Sequence, residues 1–452
     1  VNADIVWDNY LTRYIGCGIM AIEKPVLQVA LDAIHLNRAL QIAEEAVKGG
    51  ADWLEAGTPL IKSEGLESVR ELKRRFSNLK IVADMKTMDV GALEVEMAAK
   101  AGADVVTILG VSDDGTIKEA VKAGKKYGTK IMIDLIGVED KAKRAKEVEE
   151  LGVDYVVMHV GIDQQMKGKN PIEELKKIHG STKLQIGAAG GINTENVLGV
   201  LEAGASIIIV GGAIIKSENV TEATRMMKEA ILSKKSLTTE LYKKYSENEL
   251  RDAFMKVSTS NISDAMHRKG AMFGLKSILQ PGSKMVGRAL TVRTIDGDWA
   301  KPVEAIDKAE KGDVIVIDAC GGRIALWGEL ASWSAKVKGL AGVVVDGAVR
   351  DIPDILSLGF PVFAKHMVPN AGEPKGHGEI GVEIVCCGQT VRTGDWIIGD
   401  ASGVVVVPQE EAVEIANRAI DVMERENRLR EEIKRGSTLS KVLELEKWEK
   451  VG

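Results

Sequence analysis

From residue 26 to about 212 the chain alternates short β-branched apolar runs with helical stretches. The runs are 26–32 (VLQVALD), 53–57 (WLEAG), 79–86, 105–110 (VVTILG), 130–137, 155–161 (YVVMHVG), 184–191 (LQIGAAGG) and 206–212 (SIIIVGG). Gly50, Asn78, Gly102, Gly128, Gly152, Gly180 and Gly204 precede successive runs at intervals of 28, 24, 26, 24, 28 and 24 residues. Such spacing is a repeat of one strand–helix unit, because each helix ends where a residue can turn left-handed and the next strand starts soon after. Eight such units in about 200 residues predict a closed (β/α)₈ barrel rather than an open doubly wound sheet. No GxGxxG follows the first strand, which weakens a dinucleotide-binding reading. Function is therefore expected at the C-terminal ends of the strands.

After residue 233 the period is lost. A charged stretch, SKKSLTTELYKKYSENELRDAFMKV, reads as a helical connector, and from about 258 to 408 the runs VGRALTVRTI, DVIVIDAC, AGVVVDG, VEIVCCG, WIIGD and GVVVVP predict strands of a second, mixed α/β domain. Residues 409–435 read as one amphipathic helix. The expected division is an unassigned segment 1–19, a barrel over 20–233, a connector over 234–249, a second α/β domain over 250–425 and a helical tail over 426–452.

A length of 452 residues fits two cores. Aromatics are only 4% and the formal net charge is −6, so stacking platforms and a basic nucleic-acid face are not expected. Cys17, Cys320 and the adjacent Cys386–Cys387 lack CxxC spacing, which suits reduced thiols in a cytosol. No run is long enough for a membrane span, and the first twenty residues lack signal-peptide order, so a cytoplasmic protein with small-molecule partners is expected.

Charged residues recur where barrel strands end: Asp32, Glu55, Asp84, Lys86, Asp89 and His159. Side chains there converge on one cavity, and carboxylates so gathered repel unless a cation or substrate completes the set. Glu55 and Asp84, on neighbouring strands about 5 Å apart, suit Mg²⁺ or Mn²⁺. The glycine pairs Gly190–Gly191 and Gly211–Gly212 close strands seven and eight, where barrels bind phosphate. A phosphorylated substrate, a divalent cation and a lysine between carboxylates point to carbanion chemistry beside a carbonyl, with His159 as proton acceptor. Lys86 could instead only pin its loop. A Schiff-base role is disfavoured, since flanking aspartates raise the pKa that imine formation needs lowered.

At ALD (30–32), EAGTP (55–59), ADMKTMD (83–89), TILG (107–110), GVDYVVMHVGIDQQMKGKN (152–170), AGGI (189–192) and IVGGAI (209–214) the chain resembles the 3-hexulose-6-phosphate synthases. These belong to the group of barrels that includes orotidine 5'-phosphate decarboxylase and keto-gulonate-phosphate decarboxylase. Glu55 stands where orotidine decarboxylases carry lysine, and Val160 and Ile162 stand where keto-gulonate enzymes carry arginines. The resemblance implies Mg²⁺-dependent aldol addition of formaldehyde to ribulose 5-phosphate, or its reversal. It also implies a homo-oligomer with a dimeric barrel, in which Asp89 reaches across to the neighbouring site.

In the second domain Gly328-Glu329-Leu330 opens a helix whose N–H groups could hold a carboxylate, while Arg350 could clamp the same anion and Asp351 ligate a metal. A surface ion pair beside a helix cap is the simpler alternative. With TVRT (291–294), GDVIVID (312–318) and GDASGVVVVP (399–408), these residues resemble the family of the regulator of ribonuclease E activity and the 4-hydroxy-4-methyl-2-oxoglutarate aldolases. That family holds both non-enzymatic regulators and metal-dependent aldolases or decarboxylases. Retention of Asp351 is similar to the enzymes, whereas Glu329 departs from their Gly-Asp-Leu.

Overall fold

Eight strands form where the alternation places them: β1 (Val26–Leu31), β2 (Trp53–Ala56), β3 (Lys80–Thr87), β4 (Val105–Leu109), β5 (Lys130–Asp134), β6 (Tyr155–His159), β7 (Gln185–Ala189) and β8 (Ile207–Val210). The structure, a computed structural model, describes residues 24–167, 171–238, 242–443 and 445; the segment 1–19 and residues 446–452 of the tail lie outside it. The described chain falls into two compact units that divide at Tyr242, with the short segment Asp163–Lys169 grouped with the second.

Each barrel strand pairs in parallel with the next, and β1 closes the ring on β8 through Val26↔Ile207 to Val29↔Val210. Inside, Ala30, Trp53, Val82, Val105, Met132, Val157, Ala189, Ile207 and Ile209 pack into one apolar cluster to which every strand contributes. Strand side chains alternate, so the residue two positions further along also points inward, one layer nearer the C-terminal rim. Those positions are Asp32, Glu55, Asp84, Thr107, Asp134, His159, Gly191 and Gly211. The apolar plug thus carries a polar layer directly above it.

The second unit has a mixed sheet. The strands of this unit are β9 (Ala271–Met272), β10 (Lys276–Ile278), β11 (Met285–Arg293), β12 (Val314–Asp318), β13 (Ala325–Trp327), β14 (Gly342–Val349), β15 (Val362–Met367), β16 (Glu379–Ile380), β17 (Ile384–Cys386), β18 (Gln389–Val391), β19 (Trp396–Asp400) and β20 (Gly403–Val407), of which β17 and β18 form a separate hairpin. The main path runs β10-β15-β14-β12-β11-β19-β20-β9, parallel from β15 to β11 and antiparallel beyond. Ile315, Ile317, Val343 and Val345 face one core and Val314, Val316 and Val344 another. Burial on both faces is why these runs are continuously apolar.

The connector is not the helix expected over 234–249. The helix Val220–Ser233 stops at Lys234, whose φ of 51° is left-handed, and Leu237 N–H bonds Thr194 O at 3.0 Å, so the chain spends its hydrogen bonds on the barrel. Among described residues helix resumes only at the single turn Glu247–Glu249. The last long helix, Ala412–Lys434, runs through the boundary expected at 425.

Candidate active site

At the centre of the barrel rim Lys86 Nζ lies 2.8 Å and 3.0 Å from the Asp84 oxygens and 3.0 Å from Asp134 Oδ2. His159 Nδ1 stands 2.8 Å from that same Asp134 oxygen, whose other oxygen accepts Ile136 N–H at 2.9 Å. Asp84 is fixed further by Thr107 Oγ1 at 2.7 Å and Thr58 Oγ1 at 2.6 Å. The bulge between Ala83 and Thr87 on β3 breaks pairing with β4, and Lys86 is held there at φ 46°. A non-glycine residue in that region is strained, and this strain sits at the lysine that joins two acids.

Glu55 is buried, with Ala30 and Val82 as its register partners on β1 and β3, and Gln28 Nε2 donates to its Oε2. Burial, then the charges of Asp84 and Asp32, push its carboxyl well above the ordinary range, with Lys86 and Gln28 opposing. Asp32 keeps solvent contact although protein surrounds it; enclosure and then Asp84 raise its pKa, partly offset by Lys86, His159 and Lys216. Asp134 behaves oppositely. Burial would raise it, but the His159 hydrogen bond and charge, then Lys86, hold it at about 2. Lys86 is held strongly cationic: burial alone would lower it, and Asp84 and Asp134 outweigh that.

The structure therefore gathers Asp32, Glu55, Asp84, Lys86 and His159. Asp89 stays apart in this chain, exposed on the loop after β3 with its Oδ1 accepting Val90 N–H at 2.7 Å. Asp134, Thr107, Thr58 and Gln28 had not been singled out from sequence. The signal for Asp134 and Thr107 was present, since each lies two residues after an inward apolar residue. Gly190 and Gly191 take φ of 99° and 70° just beyond β7, a left-handed pair that glycine adopts freely, and Gly211–Gly212 follow β8.

Four carboxylates against one ammonium and one imidazole make a donor set with excess negative charge. Gln28 Oε1, buried beside Glu55, has no hydrogen-bond partner among the described residues. Both observations fit a divalent cation bound between Glu55 and Asp84.

Asp134 gives a stability prediction. Its folded pKa lies below the unfolded value near 3.9, so its contribution, about 2.5 kcal/mol, is complete above that value and disappears as pH falls toward 2. Asp134→Asn is expected to unfold more readily in urea by about that amount at pH 6, the gap closing between pH 4 and 2. A gap independent of pH would refute the ion-pair account.

In the second unit the named residues also meet. Glu329 N–H, opening the helix Glu329–Lys338, donates to Asp351 Oδ2 at 3.2 Å, and Arg350 Nε lies 3.4 Å from the same oxygen. A β-carbon on Gly328 would sit 2.6 Å from Asp351 Oδ2, so a larger residue there would push the Asp351 carboxylate out of place. Leu330 points into solvent at 77% exposure. The helix's first N–H thus serves Asp351 itself, leaving fewer donors for a bound carboxylate than expected.

Residues 25–227 match the orotidine 5'-phosphate decarboxylase / HUMPS family, and residues 259–406 match the RraA-like family, Aldolase/RraA. A closed barrel with acids, lysine and histidine on its rim is the class the first half defines, and the chain belongs to the orotidine 5'-phosphate decarboxylase / HUMPS family. Within it the barrel stands close to 3-hexulose-6-phosphate synthase, fused to an RraA-like aldolase domain. It is 42% identical over 207 residues to the 3-hexulose-6-phosphate synthase of Bacillus subtilis (strain 168), covering 46% of this chain and 98% of that one. The synthase of Staphylococcus aureus (strain NCTC 8325 / PS 47) is 39% identical over 209 residues, covering 46% and 99%. The structure of the RNA-processing inhibitor RraA from Thermus thermophilis matches at 28% identity over 34% of this chain and 93% of that one, with a TM-score of 0.32. Among described residues no helix is long and apolar enough to cross a membrane.

Proposed function

We propose that the barrel catalyses aldol addition of formaldehyde to ribulose 5-phosphate, giving 3-hexulose 6-phosphate, and the reverse cleavage. The observation that carries this reading is the chain of contacts His159–Asp134–Lys86–Asp84 beside the buried Glu55. Backbone N–H groups at Gly190–Gly191 and Gly211–Gly212 would receive the phosphate. Asp134 fixes His159 with its proton on Nδ1, so Nε2 is left to take the proton from the carbon beside the ketose carbonyl. Lys86 donates to the oxygen on which the enediolate charge develops. The enediolate carbon then attacks formaldehyde, and the imidazolium returns its proton to the new alkoxide. A Mg²⁺ or Mn²⁺ ion held by Glu55 and Asp84 would supply a Lewis acid for the ketose oxygens.

Formaldehyde-dependent consumption of ribulose 5-phosphate, assayed in both directions with purified protein, tests the reading. Absence of turnover in either direction with Mg²⁺ present would overturn it. Asp89 would act from one barrel on its neighbour's site. Met88, Val90, Leu93 and Met97, all exposed around it, form an apolar strip suited to a second barrel.

Gly57 supplies a finer test. A β-carbon there would lie 2.3 Å from Asp32 Oδ1 and 3.0 Å from Leu31 O. Gly57→Ala is expected to displace Asp32 and lower kcat about tenfold to a hundredfold while the far-ultraviolet circular dichroism is unchanged. For the second unit, Arg350 and Asp351 beside Gly328 support a metal-dependent 2-oxo-acid aldolase or decarboxylase. Pyruvate release from a 4-hydroxy-2-oxo acid, lost in Asp351→Ala, would test it.

A further inference from the structure

In the second unit a carboxylate on the strand that leads to Arg350 and Asp351 shares a small buried space with two thiols some forty residues further along the chain. One oxygen of Asp346 and the sulfurs of Cys386 and Cys387 all lie within 4.8 Å of one another, and all three residues are buried. Asp346 is on β14; the cysteines end β17 and enter its hairpin with β18.

The hairpin itself is unusual. Cys387 and Gly388 form its two-residue turn with φ of 50° and 82°, a pair of left-handed residues that normally selects Asn-Gly or Asp-Gly. Cysteine in the first place costs conformational energy, and what it gains is a thiol aimed beside Cys386 and a backbone N–H donated to Asp346 Oδ2 at 2.6 Å. The other oxygen, Oδ1, makes no hydrogen bond of good geometry, although Lys365 Nζ forms an ion pair with it at 2.6 Å. Lys365 is the partly exposed member, with 28% of its side chain in solvent, and Gly321 beside it leaves room at Asp346 Oδ1.

We infer that Asp346, Cys386 and Cys387 form a binding site for a thiophilic divalent cation of the zinc class, in which the metal replaces the Lys365 ammonium at Asp346. Zinc–sulfur bonds of about 2.3 Å put two thiolates about 4 Å apart, so small inward shifts complete three positions of a tetrahedron. The fourth lies toward Lys365 and solvent. Two thiol protons leave for water on binding, and the displaced ammonium, on a flexible stem, swings out to solvent. Two thiolates also select against magnesium, which separates this site from the carboxylate pair Glu55 and Asp84 of the barrel.

The test is titration of the reduced full-length chain with Cd²⁺ alone, following the ultraviolet thiolate-to-metal band, with Zn²⁺ competing. One equivalent is expected to develop the band and release about two protons. Lys365→Met is expected to tighten binding at least about tenfold, because it removes a competing cation. Cys387→Asn keeps the turn with a residue that favours it, so it is expected to fold at least as stably as the parent while losing the band. No band in the folded parent, a band that survives in Cys387→Asn but disappears in Cys320→Ser or Cys17→Ser, or weaker binding in Lys365→Met would each overturn the assignment.

Discussion

Lys86→Ala is expected to lower kcat/KM for formaldehyde-dependent consumption of ribulose 5-phosphate by about a thousandfold, the loss of a preorganised donor to developing negative charge. The enzyme should stay folded, because the acids the lysine joins have other partners. Asp84 keeps the hydroxyls of Thr58 and Thr107, and Asp134 keeps His159 and Ile136 N–H. Part of the strain at φ 46° also remains with alanine, so stability is not expected to rise enough to mask the effect. Steady-state kinetics with a parallel urea titration checks both halves. Near-normal turnover in a folded Lys86→Ala protein would reduce the lysine to a loop pin, the alternative its sequence position left open.

Removing the divalent cation should be nearly as damaging. Dialysis against EDTA is expected to cut activity at least about a hundredfold, with recovery on adding Mg²⁺ or Mn²⁺. Glu55→Gln should mimic the loss while retaining the fold, because an amide removes one of the charges that burial and the neighbouring acids already disfavour. Mn²⁺ binding followed by electron paramagnetic resonance reads the same site without relying on turnover. Full activity in metal-free buffer would sink the proposed role of Glu55 and Asp84, and would leave Lys86 as the principal stabiliser of the enediolate.

The two experiments separate functions that the stretch ADMKTMD merges. Asp84 and Lys86 lie on the inward face of β3 and touch each other, whereas Asp89 has left the strand and stands exposed beside an apolar strip. Periodicity of two places 84 and 86 together. It says nothing about a residue beyond the strand end.

Much of the site was legible for the same reason. An inward apolar residue predicts an inward neighbour two positions on, and this rule alone reaches Asp32, Glu55, Asp84 and His159 from Ala30, Trp53, Val82 and Val157. It also reaches Asp134 from Met132 and Thr107 from Val105, which an inspection confined to charges known from related motifs passes over. Thr58 and Gln28 are different. Thr58 lies past its strand, and Gln28 sits below the rim, so their bonds to Asp84 and Glu55 depend on the register between strands. The connector failed for a related reason: its composition favours helix, but Leu237 is hydrogen-bonded to Thr194, more than forty positions earlier.

By itself the sequence determined the repeating strand–helix unit, the closed barrel, the second mixed domain and most of the residues on the rim, because strand alternation and turn glycines are local and periodic. Only the tertiary structure decided which charges touch. Asp134 became the link between His159 and Lys86, and Asp346 came to share a buried space with Cys386 and Cys387 some forty residues away. Pairing between side chains falls off over a few ångströms, whereas the spacing of residues along a chain carries no such distance until strands are set in register.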